Sequence, residues 1–108
     1  MSTALTALER EVIRLTAAHH WPEFHLDGLG VVSRDNTGAG RYVYLEDSRE
    51  QRLPDGSYTA PGRMIQMEGV GNGLGFVVEV SASRINHIEL FTYGNQGWDG
   101  VEREWKIL

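Results

Sequence analysis

The sequence predicts an α+β fold, in which one N-terminal helix packs on an antiparallel sheet of five or six strands arranged as a meander. All 13 glycines lie at or after Gly28, so the first quarter of the chain is free of this turn-forming residue. The later segments are short, alternate apolar with polar residues, and are separated by turn sequences. They lack the helix-length connections that parallel strands require, which favours antiparallel pairing.

The size and composition indicate one globular domain spanning residues 1–108. Hydrophobic residues make up 41% of the chain and charged residues 23%. The formal net charge is −5, and Lys106 is the single lysine. This balance argues against sequence-independent binding to nucleic acid or to an anionic membrane, since both depend on clustered lysine and arginine.

Other composition features exclude several classes of site. The chain has no cysteine, which rules out disulfides, thiolate metal sites and cysteine nucleophiles. No apolar run approaches the roughly 20 residues of a membrane span. Glu9, Arg10 and Glu11 occupy the region where a signal peptide needs an apolar run, so we expect a cytoplasmic protein.

The first segment has the periodicity of an amphipathic helix. Ser2 or Thr3 can cap this helix, and Thr6 with Glu9 fits an alternative capping box one turn later. The expected end is near His20, because Pro22 disfavours helical geometry at the residue before it. Glu9 is predicted to lie away from the apolar stripe, which consists of Leu5, Leu8, Val12 and Leu15.

Six segments are predicted to form strands. The stretch 46–62 is predicted to be irregular, and the segments 35–40 and 69–75 are predicted to be turns. A phosphate-binding role for 69–75 is rejected, because its glycines miss the required spacing and a strand follows it. The strands are Leu29–Arg34, Arg41–Leu45, Met64–Glu68, Phe76–Ser81, Ile85–Tyr93 and, at the end of the chain, Glu104–Leu108.

The hairpin of the fourth and fifth of these strands permits a prediction of register. A three-residue loop, Ala82–Arg84, keeps the apolar residues of both strands on one face, whereas a two-residue loop mixes the faces. Glu79 then lies opposite His87 on the outer face. The predicted inward pairs are Phe76 with Leu90 and Val78 with Ile88, and the remaining predicted core consists of the helix stripe, Val43, Ile65, Met67 and Val80.

Candidate catalytic chemistry is sparse. His87 with Glu79 or Glu89 is the one acid–base pair that the register suggests, since a carboxylate can orient an imidazole. The same residues also fit an ordinary cross-strand pair on a solvated face. We predict no metal site and no cofactor, because the histidines near the helix end, His19, His20 and His25 with Glu23, show no established ligand spacing.

The outer face of the sheet is the main candidate for binding. Three carboxylates, Glu68, Glu79 and Glu89, are predicted to point away from the helix. Aromatic anchors in an acidic field suit a basic protein partner, although a solvated face of a half-covered sheet shows the same alternation. The aromatic residues expected on or beside this face are Tyr42, Tyr44, Tyr93 and Trp98.

Two stretches carry a resemblance: VVSRDNTGAGRYVY at 31–44 and FTYGNQGWDGVEREWKIL at 91–108. With the intervening GLGFVVEV, they resemble small bacterial single-domain proteins of uncharacterised function, over most of residues 31–108. The resemblance implies no catalytic motif and no site. Compact acidic α+β proteins of this size include immunity proteins that neutralise toxins, which is an analogy of size and class.

These observations favour a protein-binding module, for example an immunity-type inhibitor of a toxin. The alternative is a small enzyme or small-ligand-binding domain that uses His87 with Glu79 or Glu89. The sequence shows no recognisable nucleophile, metal set or cofactor motif, and this favours binding over catalysis.

Overall fold

The computed structural model describes residues 3–108, which form one helix and one seven-stranded antiparallel sheet. The main path through the sheet is β1-β2-β6-β5-β4-β7, and β3 pairs with β5 beside that path. No helix in this range is long and apolar enough to cross a membrane. The elements are α1 (Ala7–His20), β1 (Leu29–Asn36), β2 (Gly40–Asp47), β3 (Gly56–Tyr58), β4 (Ile65–Met67), β5 (Val70–Ser81), β6 (Arg84–Thr92) and β7 (Trp105–Ile107).

The α+β class and the antiparallel pairing are confirmed, and the strand count is corrected from five or six to seven. The additional strand, β3, lies inside the stretch 46–62 that was predicted to be irregular. Its three residues are too few to show a period of two. The order is not a simple meander, because β2 lies beside β6 and β7 returns to pair with β4.

The glycine-rich stretch 69–75 is largely strand, which corrects its prediction as a loop. The chain turns at Glu68 and Gly69, and β5 begins at Val70. Gly73 is needed for space, since a Cβ there would lie 2.7 Å from the backbone carbonyl oxygen of Ile65 on β4. Glycine in a strand often marks such a close approach, which sequence alone does not distinguish from a turn.

The predicted register of β5 and β6 is confirmed, but the turn that produces it is different. Ala82 and Ser83 form a two-residue turn with φ values of 54° and 65°. A β-bulge at Asn86 then supplies the extra residue that the predicted three-residue loop would have contributed. The observed pairs are Phe76 with Leu90, Val78 with Ile88 and Glu79 with His87.

The helix begins with the predicted capping box. Thr6 is the N-cap, its hydroxyl accepts from the Glu9 amide at 3.2 Å, and the Glu9 carboxylate accepts from the Thr6 amide at 2.9 Å. Thr3 instead forms a backbone bridge with Val31 on β1, and Ser2 lies outside the described residues. Leu5 therefore precedes the helix.

The face of α1 that is buried is rotated toward Ile13 relative to the predicted apolar stripe. Leu5 and Leu15 are only partly buried against the core, whereas the other predicted core residues are buried. The prediction that Glu9 lies away from the packed face is wrong, since its side chain is completely buried. The buried face of α1 consists of Leu8, Glu9, Val12, Ile13, Thr16 and Ala17.

Two arginines on the sheet compensate the buried charge of Glu9. Arg34 on β1 donates to both carboxylate oxygens, at 2.6 and 2.8 Å. Arg41 on β2 donates to Glu9 at 3.2 Å and to Glu102 at 2.7 Å. Burial alone raises the pKa of Glu9, but the hydrogen bonds from Arg34 and the Thr6 backbone outweigh it and lower this pKa below its ordinary value.

Arg41 also anchors the segment between β6 and β7. Its guanidinium donates to the Gly100 carbonyl and lies 4.9 Å from the centre of the Trp98 ring. The Trp98 amide donates to the Gly38 carbonyl at 2.9 Å. Because Arg41 pairs with the inward Leu90, these contacts draw Trp98 into the core, where it is 4% exposed.

A second buried carboxylate holds the loop after β2. Asp47 accepts from the Arg49 guanidinium through two bonds of 2.9 Å and from the Ile85 amide at 3.0 Å. Arg84 donates to the carbonyls of Asp47 and Arg49. These bonds fix the end of β2 to the start of β6 and so support the register of the central strands.

Phe76→Ala is expected to lower the free energy of unfolding by about 3–5 kcal/mol, because it leaves a cavity in the core. Glu79→Ala is the matched control on the outward side of the same strand, and it is expected to change stability by less than about 0.5 kcal/mol. Urea denaturation of both variants measures this difference. Small and equal losses would contradict the register.

Glu9→Gln is expected to cost about 3–5 kcal/mol, because Arg34 and Arg41 lose their buried counter-charge. The control Glu11→Gln removes a partly exposed pair with Arg14 and is expected to cost under about 1 kcal/mol. Equal losses of denaturation free energy in the two variants would refute the role of Glu9.

Acidification tests the same carboxylate in the unsubstituted chain. Since the folded-state pKa of Glu9 is lowered, its contribution is present above the ordinary value of 4.5 and lost as pH falls through the folded value. Stability is therefore expected to decline below about pH 5, with a shallower decline in Glu9→Gln. Parallel pH profiles for the two proteins would contradict this expectation.

Candidate functional site: the uncovered face of the sheet

The candidate site lies on the side of the sheet opposite α1. Cross-strand partners point to the same side, so the register defines rows of side chains that cross several strands. The first row crosses β1, β2, β6, β5 and β3, and the second crosses β1, β2, β6 and β5. The first row is Ser33, Tyr44, His87, Glu79 and Ser57, and the second row is Asp35, Tyr42, Glu89 and Val77.

Three rings form a contiguous cluster at the centre of these rows, which we name the tyrosine–histidine cluster: Tyr42, Tyr44 and His87. The two tyrosine rings are nearly parallel, with centroids 6.2 Å apart. The His87 ring lies 5.8 Å from each of them. Tyr44 is 39% exposed, so the cluster is open to a partner.

Carboxylates flank the cluster on three strands. Asp35 and Glu89 lie on either side of Tyr42, and Glu79 lies beside His87. Neither row contains a lysine or an arginine. The negative charge of Glu89, with smaller effects of its hydrogen bonding and of Asp35, raises the pKa of the Tyr42 phenol above its ordinary value.

The predicted acid–base residues Glu79 and His87 lie opposite each other on β5 and β6, but their side chains have other hydrogen-bond partners. Glu79 and His87 are cross-strand partners, yet the Glu79 carboxylate accepts from the Ser57 hydroxyl at 2.5 Å. His87 Nδ1 lies 2.9 Å from the side-chain oxygen of Asn86. Within residues 3–108, no carboxylate forms an ion pair with His87.

Two residues predicted for this surface lie elsewhere. Trp98 is in the core beneath Arg41, because the returning segment folds over the helix side of the sheet. Glu68 is exposed at the turn that precedes β5, whereas Glu79 lies nine residues after Val70, the first residue of β5, which is of the order of 30 Å along an extended strand. Glu68 lines a separate cleft of about 550 Å³ beside β7. The three predicted glutamates therefore do not form one patch.

Other members of the face were missed. Phe91 follows Glu89 on the outward side of β6, and its ring contacts that of Tyr93 with centroids 5.7 Å apart. The alternation along β6 would have identified Phe91. The sequence predicts Asp35 in a turn, and only the pairing of β1 with β2 places it beside Tyr42.

No group of three histidine, aspartate or glutamate side chains in the part of the chain described is arranged to hold a metal ion. No family model matches the chain, and no curated protein or solved structure matches it.

Glu89→Gln is expected to return the pKa of the Tyr42 phenol toward its ordinary value of 10.0, because the variant removes the negative charge that raises this pKa most. Glu79→Gln is the control and is expected to leave that pKa unchanged. A pH titration of ¹³Cζ-labelled tyrosine by NMR measures both. A Tyr42 pKa that does not respond to Glu89→Gln would place Glu89 away from the phenol.

Proposed function

We propose that the chain is a cytoplasmic protein-binding module, an immunity-type inhibitor that binds a basic protein through the uncovered face of its sheet. The observation that supports this most strongly is the composition of the two central rows. They combine the tyrosine–histidine cluster with Asp35, Glu79 and Glu89 and contain no lysine or arginine.

The aromatic rings are suited to anchoring a partner. Tyrosine buries a large, rigid surface at low entropic cost and keeps a hydroxyl for hydrogen bonding. Binding energy concentrates in such central aromatic residues, while the surrounding polar residues exclude water. In this sheet, Tyr42 and Tyr44 are held on a central strand between β1 and β6, so they are already ordered before a partner arrives.

The carboxylates favour a partner of opposite charge. A second copy of the same face would bring its own carboxylates against Glu79 and Glu89, and like charges across an interface are unfavourable. A basic surface would be attracted, and its approach would be accelerated over the Debye length of about 8–10 Å. Charge complementarity therefore supports a basic protein over self-association.

The geometry does not favour the enzymatic alternative to the same degree. Catalysis by His87 with a carboxylate requires a hydrogen bond that orients the imidazole. In the structure, Glu79 is engaged by Ser57 and His87 by Asn86. The same residues fit the binding role without rearrangement.

The proposal predicts a kinetic effect of charge reversal. The double variant Glu79→Lys/Glu89→Lys is expected to lower the association rate about tenfold and to flatten its salt dependence, with a smaller change in dissociation. The control Glu50→Lys makes the same kind of charge change at an exposed loop position beside Pro22 and His25, and it is expected to have little effect.

The measurement is surface plasmon resonance across a salt series, with the purified product of the adjacent gene as the partner. A toxin that binds the unsubstituted chain and responds to the double variant supports the proposal. No binding to the adjacent product contradicts the immunity-type role. Binding with kinetics unchanged by the double variant shows that the acidic face is only a solvated surface.

A further inference from the structure

We propose that the tyrosine–histidine cluster, together with Glu79 and Glu89, is a subsite for an arginine side chain of the partner. This inference rests on the proposed function and specifies the chemistry that the face recognises. The subsite has two components, a ring surface and two flanking carboxylates, which lie on the adjacent strands β2, β6 and β5.

The ring surface is suited to a cation. The electron-rich face of an aromatic ring attracts a cation within about 6 Å of its centroid. The centroids of Tyr42, Tyr44 and His87 are 5.8–6.2 Å apart, so a cation over the cluster can contact more than one ring. The chain already uses this interaction elsewhere, with Arg49 stacked 4.4 Å from the Phe24 ring.

The flanking carboxylates have no internal cation. Among the described residues, the acids that form ion pairs with arginine are Glu9, Glu11, Asp47, Asp99 and Glu102. Glu79 and Glu89 are absent from that set, and both lie on the same side of the ring surface, Glu89 beside Tyr42 on β6 and Glu79 beside His87 on β5. Their charges are therefore available to a cation that comes from outside the chain.

Arginine satisfies both components at once. Its planar guanidinium stacks on an aromatic face while its edge donates two parallel hydrogen bonds to a carboxylate. The lysine ammonium is compact and strongly hydrated, so it has to exchange water for each contact. A site that combines stacked rings with lateral carboxylates should therefore prefer arginine to lysine.

The test uses short peptides whose single variable is the side chain: tetra-arginine, tetra-lysine and tetra-citrulline, each blocked at both ends. Binding is followed by amide chemical shifts in a ¹⁵N NMR titration. Tetra-arginine is expected to bind about two- to fivefold more tightly than tetra-lysine. Its shift changes are expected at residues 42–44 and 87–89, and tetra-citrulline, which keeps the shape without the charge, is expected not to bind.

Two variants separate the components of the site. Tyr44→Ala is expected to remove the preference for arginine over lysine, and Glu89→Gln is expected to weaken both peptides. His25→Ala and Glu50→Gln are the matched controls, since both residues are exposed, lie outside the two rows and line the cleft beside Pro22. Both controls are expected to bind like the unsubstituted chain.

Equal affinity for tetra-arginine and tetra-lysine would overturn the inference, and so would shift changes outside the cluster or insensitivity to both site variants. Such a result would not contradict the proposed function if the association rate of the toxin were still lowered by Glu79→Lys/Glu89→Lys. If tetra-arginine bound selectively but the binding of the protein partner did not change in Glu79→Lys/Glu89→Lys, the proposed function would be overturned and the arginine subsite would stand.

Discussion

The structure depends on the neutralisation of one buried carboxylate. Glu9 projects from the packed face of the helix into the sheet, where an unpaired charge would be strongly unfavourable. Arg34 and Arg41 supply the compensating charge from two adjacent strands, and Arg41 extends the network to Glu102 in the C-terminal segment. One set of ion pairs thus connects the helix, the β1–β2 hairpin and the segment that returns to β7. Those elements are distant in sequence, so the network acts as a long-range cross-link.

This network also shapes the opposite face of the sheet. Strand residues alternate between the two sides, so the inward placement of Arg34 and Arg41 leaves their outward neighbours to define the other surface. Those neighbours are Asp35 and Tyr42. The arginines of β1 and β2 point into the core, where they pair with Glu9. The outward rows therefore carry the acidic and aromatic side chains. The same alternation of side chains along β1 and β2 therefore produces both the buried ion pairs and the acidic, aromatic outer face.

The bulge at Asn86 is the second determinant of the site. Without the extra residue, a two-residue turn at Ala82 and Ser83 would shift β6 by one position and turn His87 toward the core. With it, His87 and Glu89 point outward beside the tyrosines of β2. A single unpaired residue therefore decides whether the tyrosine–histidine cluster exists.

Local patterns in the sequence determined the capping box of Thr6 and Glu9, the end of the helix and the inward pairing of Phe76 with Leu90. Each of these depends on neighbouring residues or on one hairpin. Only the tertiary structure decided that Glu9 is buried and that Trp98 lies in the core. It also decided that Glu68 is remote from Glu79. The burial of Glu9 and of Trp98 depends on contacts between segments dozens of residues apart, to which periodicity and turn chemistry are insensitive, whereas the distance of Glu68 from Glu79 follows from the start of β5 at Val70. Burial of a charged side chain in particular follows from its partners, and those partners lie on strands whose order in the sheet is set by the packing of the whole chain.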